Sequence, residues 1–123
     1  MAARIVIIDD DEDILELFSD ILQAEGYEVH LRTLIFEDLA DVEHLAPQLI
    51  IIDLFLGHRR EGWEFLQRLK SHLPTAPIPL ILCTAAQVTP EQQSSMQQQG
   101  IPILFKPFDL DELHQLVRQR VGS

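Results

Sequence analysis

The run Leu49-Ile50-Ile51-Ile52-Asp53 constrains this chain more than any other stretch. Four apolar residues, three of them β-branched, lead without a break into a carboxylate. A run with no polar alternation reads as a strand covered on both faces, as parallel-sheet strands are. Three more runs end in the same manner: Ile5-Val6-Ile7-Ile8 in Asp9-Asp10-Asp11, Leu80-Ile81-Leu82-Cys83 in Thr84, and Ile103-Leu104-Phe105 in Lys106. In open α/β sheets the carboxyl ends of the strands form the ligand-binding edge. Acids, a hydroxyl and an ammonium therefore converge on one edge.

Segments of helical period separate the runs. Ile14, Leu17, Phe18, Ile21 and Leu22 mark the inward face of a helix over about 12–25, and Gly26 stops it. Tyr27 to Arg32 alternates as a strand, with Tyr27, Val29 and Leu31 on one side and Glu28, His30 and Arg32 on the other. A short helix near 35–45 carries Leu39, Val42 and Leu45 and ends at Pro47. Another, over about 62–72, turns Trp63, Leu66 and Leu69 inward. Thr89-Pro90-Glu91-Gln92 reads as a capped helix start. The helix it opens has Met96 as its only large apolar residue, so it is expected to be the most mobile element. Asp109-Leu110-Asp111-Glu112 opens the last helix, which carries Leu113, Leu116 and Val117. Five strands alternating with five helices imply a parallel α/β sheet with helices on both faces. No linker composition interrupts the pattern, so residues 1–123 are expected to form a single domain with no effector domain.

A formal charge of −11 argues against nucleic acid as a partner and suits a cation or a basic protein. The single cysteine, Cys83, excludes an internal disulfide, belongs in the core, and fits a reducing compartment. No stretch is apolar enough to span a membrane and no signal-peptide pattern opens the chain, so a cytoplasmic protein without a membrane partner is expected. The five histidines are scattered without metal-ligand spacing.

Asp9, Asp10 and Asp53 are expected to meet above adjacent central strands. Two carboxylates about 4 Å apart repel by roughly 4 kcal/mol at an effective dielectric of about 20, so something must offset them. Lys106 supplies one positive charge, and a divalent cation supplies two. Mg²⁺ suits an all-oxygen site with retained waters. A metal beside a carboxylate, a lysine and a hydroxyl is equipment for phosphoryl transfer. Taken singly, each residue has a plainer reading: a charged helix start for Asp9 and Asp10, an N-cap for Asp53, a turn for Thr84, a surface lysine for Lys106. Asp11, Glu12 and Asp13 read as a helix start in any case.

Ile8-Asp9-Asp10-Asp11, Asp53, Thr84-Ala85 and Lys106-Pro107-Phe108, in this order and spacing, resemble the receiver domain of two-component response regulators (CheY-like) from about Arg4 to Val121. No single element is specific, but the ordered set is. The resemblance implies a flavodoxin-like (βα)5 fold with strand order 2-1-3-4-5. It implies that Asp53 accepts a phosphoryl group from the phosphohistidine of a histidine kinase or histidine phosphotransfer protein. Asp10 would bind Mg²⁺ directly, Asp9 mainly through water, and the carbonyl of Phe55 would complete the shell. Thr84 and Lys106 would each take a phosphoryl oxygen, and the bond before Pro107 would be cis. Such a domain is a phosphoacceptor with its own autodephosphorylation chemistry rather than an enzyme, and it signals by protein contact or phosphorelay to a downstream protein.

Three departures from the family pattern stand out. Gly57 and Gly62 stand four and nine residues after Asp53, where the family has Pro at four and Gly at eight. The loop is thus about one residue longer and holds His58-Arg59-Arg60, with Arg59 or Arg60 available to an acidic partner or to the acidic pocket. Ile103 replaces the usual rotating Tyr or Phe three before the lysine, and Phe105 is expected on the other side of the strand. Phe55 and Ala86 are apolar where the family tunes phosphoryl lifetime, so dephosphorylation is expected not to depend on either side chain. Two other classes stay open: an interaction module not switched by phosphorylation, motivated by Ile103, and an Mg²⁺-dependent phosphatase resembling the haloacid dehalogenase group, motivated by the Asp-x-Asp within Asp9-Asp10-Asp11 but lacking a substrate cap. A flavin site is disfavoured, since no Ser/Thr/Gly phosphate loop follows strand one.

Overall fold

The computed structural model describes residues 2–54, 56, 61–85 and 88–121. Its elements run β1 (Arg4–Ile8), α1 (Glu12–Ala24), β2 (Glu28–Arg32), α2 (Leu39–Leu45), β3 (Leu49–Ile52), α3 (Glu61–Ser71), β4 (Leu80–Thr84), α4 (Pro90–Gln99), β5 (Ile103–Phe105) and α5 (Leu110–Val121). The strands form one parallel sheet in the order β2-β1-β3-β4-β5.

The unbroken apolar runs are explained by two cores, one on each face of the sheet. Val6, Ile8, Ile50, Ile52 and Leu82 point toward α2, α3 and α4, where Val42, Phe65, Leu66 and Met96 meet them. Ile5, Ile7, Ile51, Ile81 and Leu104 point the other way, onto Leu15, Phe18 and Leu22 of α1 and Leu113 and Val117 of α5. Cys83 is buried in this second core, where burial pushes its thiol up to about 12. No described helix is long and apolar enough to cross a membrane.

One side-chain expectation on α1 needs correcting. Leu17, expected to face inward on α1, is 44% exposed, and Leu15 is buried in its place. The stripe that meets the sheet is narrow, Leu15-Phe18-Leu22, and Leu17 falls outside it. Leu31, on the same side of β2 as Val29, is 41% exposed because β2 lies at the edge of the sheet.

Helix α4 begins as expected. The Thr89 side chain accepts from Gln92 N, and the Gln92 side chain accepts from Thr89 N at 3.0 Å. Gly100 closes the helix in the left-handed region at φ 70. Its anchors are weak: Met96 and Gln92 are its buried residues, and Gln92 Nε2 has no hydrogen-bond partner. An unmade buried hydrogen bond costs about 1–3 kcal/mol, much of what one buried Met returns. The α4 amides are therefore expected to exchange with solvent faster than those of the other helices in native-state hydrogen exchange. Protection equal to that of α1 would contradict this account.

Candidate functional site

The carboxyl ends of the strands are stitched side by side, and the stitching places the polar residues. Asp53 N donates to Ile8 O at 3.0 Å, locking the end of β3 against the end of β1. Lys106 N donates to Thr84 O at 3.0 Å, doing the same for β5 and β4. The Lys106–Pro107 bond is cis, as expected. Asp9 and Asp53 are buried, Asp10 is exposed, and one oxygen from each lies within 4.8 Å of the others. Thr84 is fully buried at the end of the neighbouring strand.

Lys106 reaches into the acids. Its Nζ donates to Asp9 Oδ2 at 2.5 Å and to Asp53 Oδ2 at 3.2 Å. Burial opposes the charge, but the Asp9 hydrogen bond and the fields of Asp53 and Asp9 outweigh it and hold the ammonium above its ordinary range. A group whose folded-state value is raised contributes stability that is complete below its unfolded value, near 10.5, and lost as pH rises through the folded value. The lysine therefore steadies the fold throughout the neutral range.

Asp9 has a second duty. Its Oδ1 accepts from Asp11 N at 2.9 Å, and Asp11 in turn caps α1 by accepting from Asp13 N and Ile14 N. Asp11 is thus the helix cap, in line with its plainer reading. The donor set fits Mg²⁺: oxygen ligands only, three carboxylates converging, and among the described residues one cation, Lys106, paired with them.

The site's floor depends on a residue that spacing alone did not explain. Gly62, buried in the first turn of α3, lies so close to the end of β3 that a Cβ there would stand 1.8 Å from Asp53 O and 2.7 Å from Leu54 O. A glycine as the second residue of a helix, where glycine is disfavoured, was the available signal. A further correction concerns Phe105. Side chains alternate along a strand, so Phe105 shares the side of Ile103, and both line a groove with Met96 and Gln93. Leu104 faces the opposite core. Phe55, Ala86 and the segment from Gly57 to Arg60, with Arg59 and Arg60, lie outside the described residues.

The response regulator receiver domain model matches residues 5–118. Among curated proteins the chain is similar to the DNA-binding dual master transcriptional regulator RpaA of Synechocystis, 35% identical over 115 residues that cover 94% of this chain and 47% of that protein. It is also similar to the nitrogen assimilation regulatory protein NtrX of Azorhizobium caulinodans, 32% identical across 92% of this chain and 25% of that one. The chain spans about half the length, or less, of these relatives. Among solved structures, a CheY-like response regulator receiver domain protein of Methanospirillum hungatei superposes with a TM-score of 0.83 at 28% identity, covering 99% of this chain and 95% of that one. The receiver domain of NtrX from Brucella abortus gives 0.80 at 26%, covering 97% and 98%. A family match that begins in β1, ends inside α5 and takes in all four strand ends admits one assignment: the chain belongs to the receiver domains of response regulators, the phosphoacceptor family of two-component signalling.

Proposed function

We propose that Asp53 is the phosphoacceptor, and that the chain takes a phosphoryl group from the phosphohistidine of a histidine kinase or histidine phosphotransfer protein. The observation that carries this reading is the pairing of a buried strand-end carboxylate with Lys106 inside a three-carboxylate cluster. An Asp53 oxygen attacks phosphorus in line, forming an O–P bond as the N–P bond breaks and its electron pair returns to the donor imidazole. Lys106 exchanges its 3.2 Å hydrogen bond with Asp53 for one to a phosphoryl oxygen, and the Thr84 hydroxyl donates to another. Asp10 would hold Mg²⁺ directly and Asp9 through water, with the Phe55 carbonyl completing the shell. Asp9 suits the indirect role because Asp11 N and Lys106 already engage both its oxygens. Bound there, Mg²⁺ supplies two positive charges to neutralise the phosphoryl oxygens.

We assign the domain a cytoplasmic setting, self-catalysed loss of the phosphoryl group that does not use the Phe55 or Ala86 side chain, and output through a downstream protein. Residues 1–123 act as one receiver domain. The charge of −11 disfavours contact between this domain's own surface and DNA. The test is intact-mass spectrometry after incubation with acetyl phosphate. One phosphoryl adduct with Mg²⁺ and none with EDTA is the expected pair of results. A folded protein that takes no adduct under either condition overturns the reading.

Lys106 and the metal draw on the same carboxylates. Removing the ammonium in Lys106→Met is expected to tighten Mg²⁺ binding roughly tenfold while slowing phosphoryl transfer, since one competing charge a few ångströms away is lost. Calorimetric titration with Mg²⁺ checks this, and an unchanged affinity would place the metal elsewhere.

A further inference from the structure

Strand β2 closes one side of the sheet, and its outer edge has no neighbour among the described residues. Glu28 N donates to Ala3 O and Asp9 N donates to Arg32 O, so residues 28, 30 and 32 turn their backbone groups toward β1. Backbone direction alternates along a strand, so Val29 and Leu31 turn their N–H and C=O groups outward. Such an edge is a template for another strand, and proteins commonly blunt it with charges of one sign. Here the charges are of opposite sign and evenly placed: Glu28, His30, Arg32.

We propose that β2 pairs antiparallel with β2 of a second copy of this chain, about a two-fold axis at His30, joining the two sheets into one. In that register Val29 faces the partner's Leu31 as a hydrogen-bonded pair, and the symmetric pair repeats it, so all four outward N–H groups find carbonyls. His30 faces the partner's His30 as the non-hydrogen-bonded pair between them. Glu28 faces the partner's Arg32, and Arg32 faces the partner's Glu28. No other register centred on this strand matches both the backbone directions and the charges.

The existing contacts leave room for the pairing. Both described contacts of Glu28, with Arg4 and His30, use Oε2, so Oε1 remains for a guanidinium. Arg32 lays its guanidinium on the Phe36 ring and uses Nε and Nη2 on the carbonyls of Leu34 and Ile35, which among its described hydrogen bonds leaves Nη1. The pairing would also cover apolar surface: Leu31 is 41% and Leu34 68% exposed. Mutual repulsion of two chains at −11 is reduced at the strand itself, because Arg4 and Arg32 stand beside Glu28, and charges beyond about 8 Å are screened at physiological salt.

Sedimentation velocity across a concentration series tests the dimer in the wild-type chain. Glu28→Arg and Arg32→Glu, each putting like charges opposite one another twice per dimer, are expected to weaken it roughly tenfold. The double exchange Glu28→Arg/Arg32→Glu is expected to restore it. His30→Cys is expected to form an intermolecular disulfide on mild oxidation, since facing residues of a non-hydrogen-bonded pair lie about 4.5 Å apart. Leu31→Cys, facing the partner's Val29, is expected not to. Buried Cys83 contributes no background. A wild-type chain that stays monomeric assigns the edge charges to protection against pairing and overturns the proposal. So does a dimer indifferent to the charge reversals, or equal cross-linking at both cysteines.

Discussion

Asp53→Asn is expected to abolish the phosphoryl adduct and, at the same time, to make the protein more stable. The first effect follows from chemistry: the amide carries no charge and its oxygen is no nucleophile toward phosphorus. The second follows from the cluster. Among the described charges of the cluster, Asp53 is repelled by two carboxylates, Asp9 and Asp10, and attracted by one ammonium, Lys106. At comparable distances each such term is about 4 kcal/mol at an effective dielectric of about 20, before solvent at the exposed Asp10 weakens its share. Among these described charges one attraction cancels one repulsion, and the discounted remainder favours removing the charge by about 1 kcal/mol. Lys106 is not orphaned, because its shorter bond, to Asp9, persists. Urea unfolding of both proteins without Mg²⁺ measures the difference. A less stable Asp53→Asn would mean that Asp53 is held as a structural ion pair. A more stable but inert variant is the signature of a site that gives up stability for function.

Gly62→Ala is expected to be the most damaging single-methyl change in the described chain. Alanine favours a helix over glycine by about 1 kcal/mol, so a position judged by propensity alone would gain. The added Cβ, however, would stand 1.8 Å from the carbonyl oxygen of Asp53 and 2.7 Å from that of Leu54. These are backbone atoms and cannot rotate aside. Overpacking of this kind costs about 3 kcal/mol or more, which outweighs the propensity term. Because the displaced carbonyl belongs to Asp53, phosphoryl uptake is expected to fall along with the unfolding midpoint. Unchanged midpoint and uptake would show that the head of α3 is not seated against the end of β3.

Much of this was legible in the residues because the governing physics is local. An uninterrupted β-branched run such as Leu49–Ile52 has few options, and the Thr89–Gln92 capping box announces its helix within four residues. The four strand ends converge because parallel strands joined by helices must all point one way. What stayed hidden depends on tertiary neighbours. Leu15 and Leu17 are equally apolar, and only the narrowness of the face meeting the sheet decides which is buried. Leu31 matches the alternation of a covered strand, but the edge position of β2 exposes it. The two-residue period of a strand puts Phe105 on the side of Ile103, against the expectation from the family pattern. The ion pair from Lys106 to Asp9, rather than to Asp53 alone, reflects an interatomic distance that no spacing encodes.

Gly62 is followed by the chain's single tryptophan, and that adjacency gives the protein its own optical probe. Trp63 N donates to Leu54 O at 3.2 Å, and the residue lines a hollow shared with Thr89 and Pro90 at the head of α4. The backbone of Trp63 is therefore tied to Leu54, the residue after Asp53, while the residue borders the head of the least anchored helix. The single tyrosine, Tyr27, packs against the opposite core and adds little to that signal. Indole emission, excited selectively, can then follow events at the strand ends in real time, in the unlabelled protein and without a partner present.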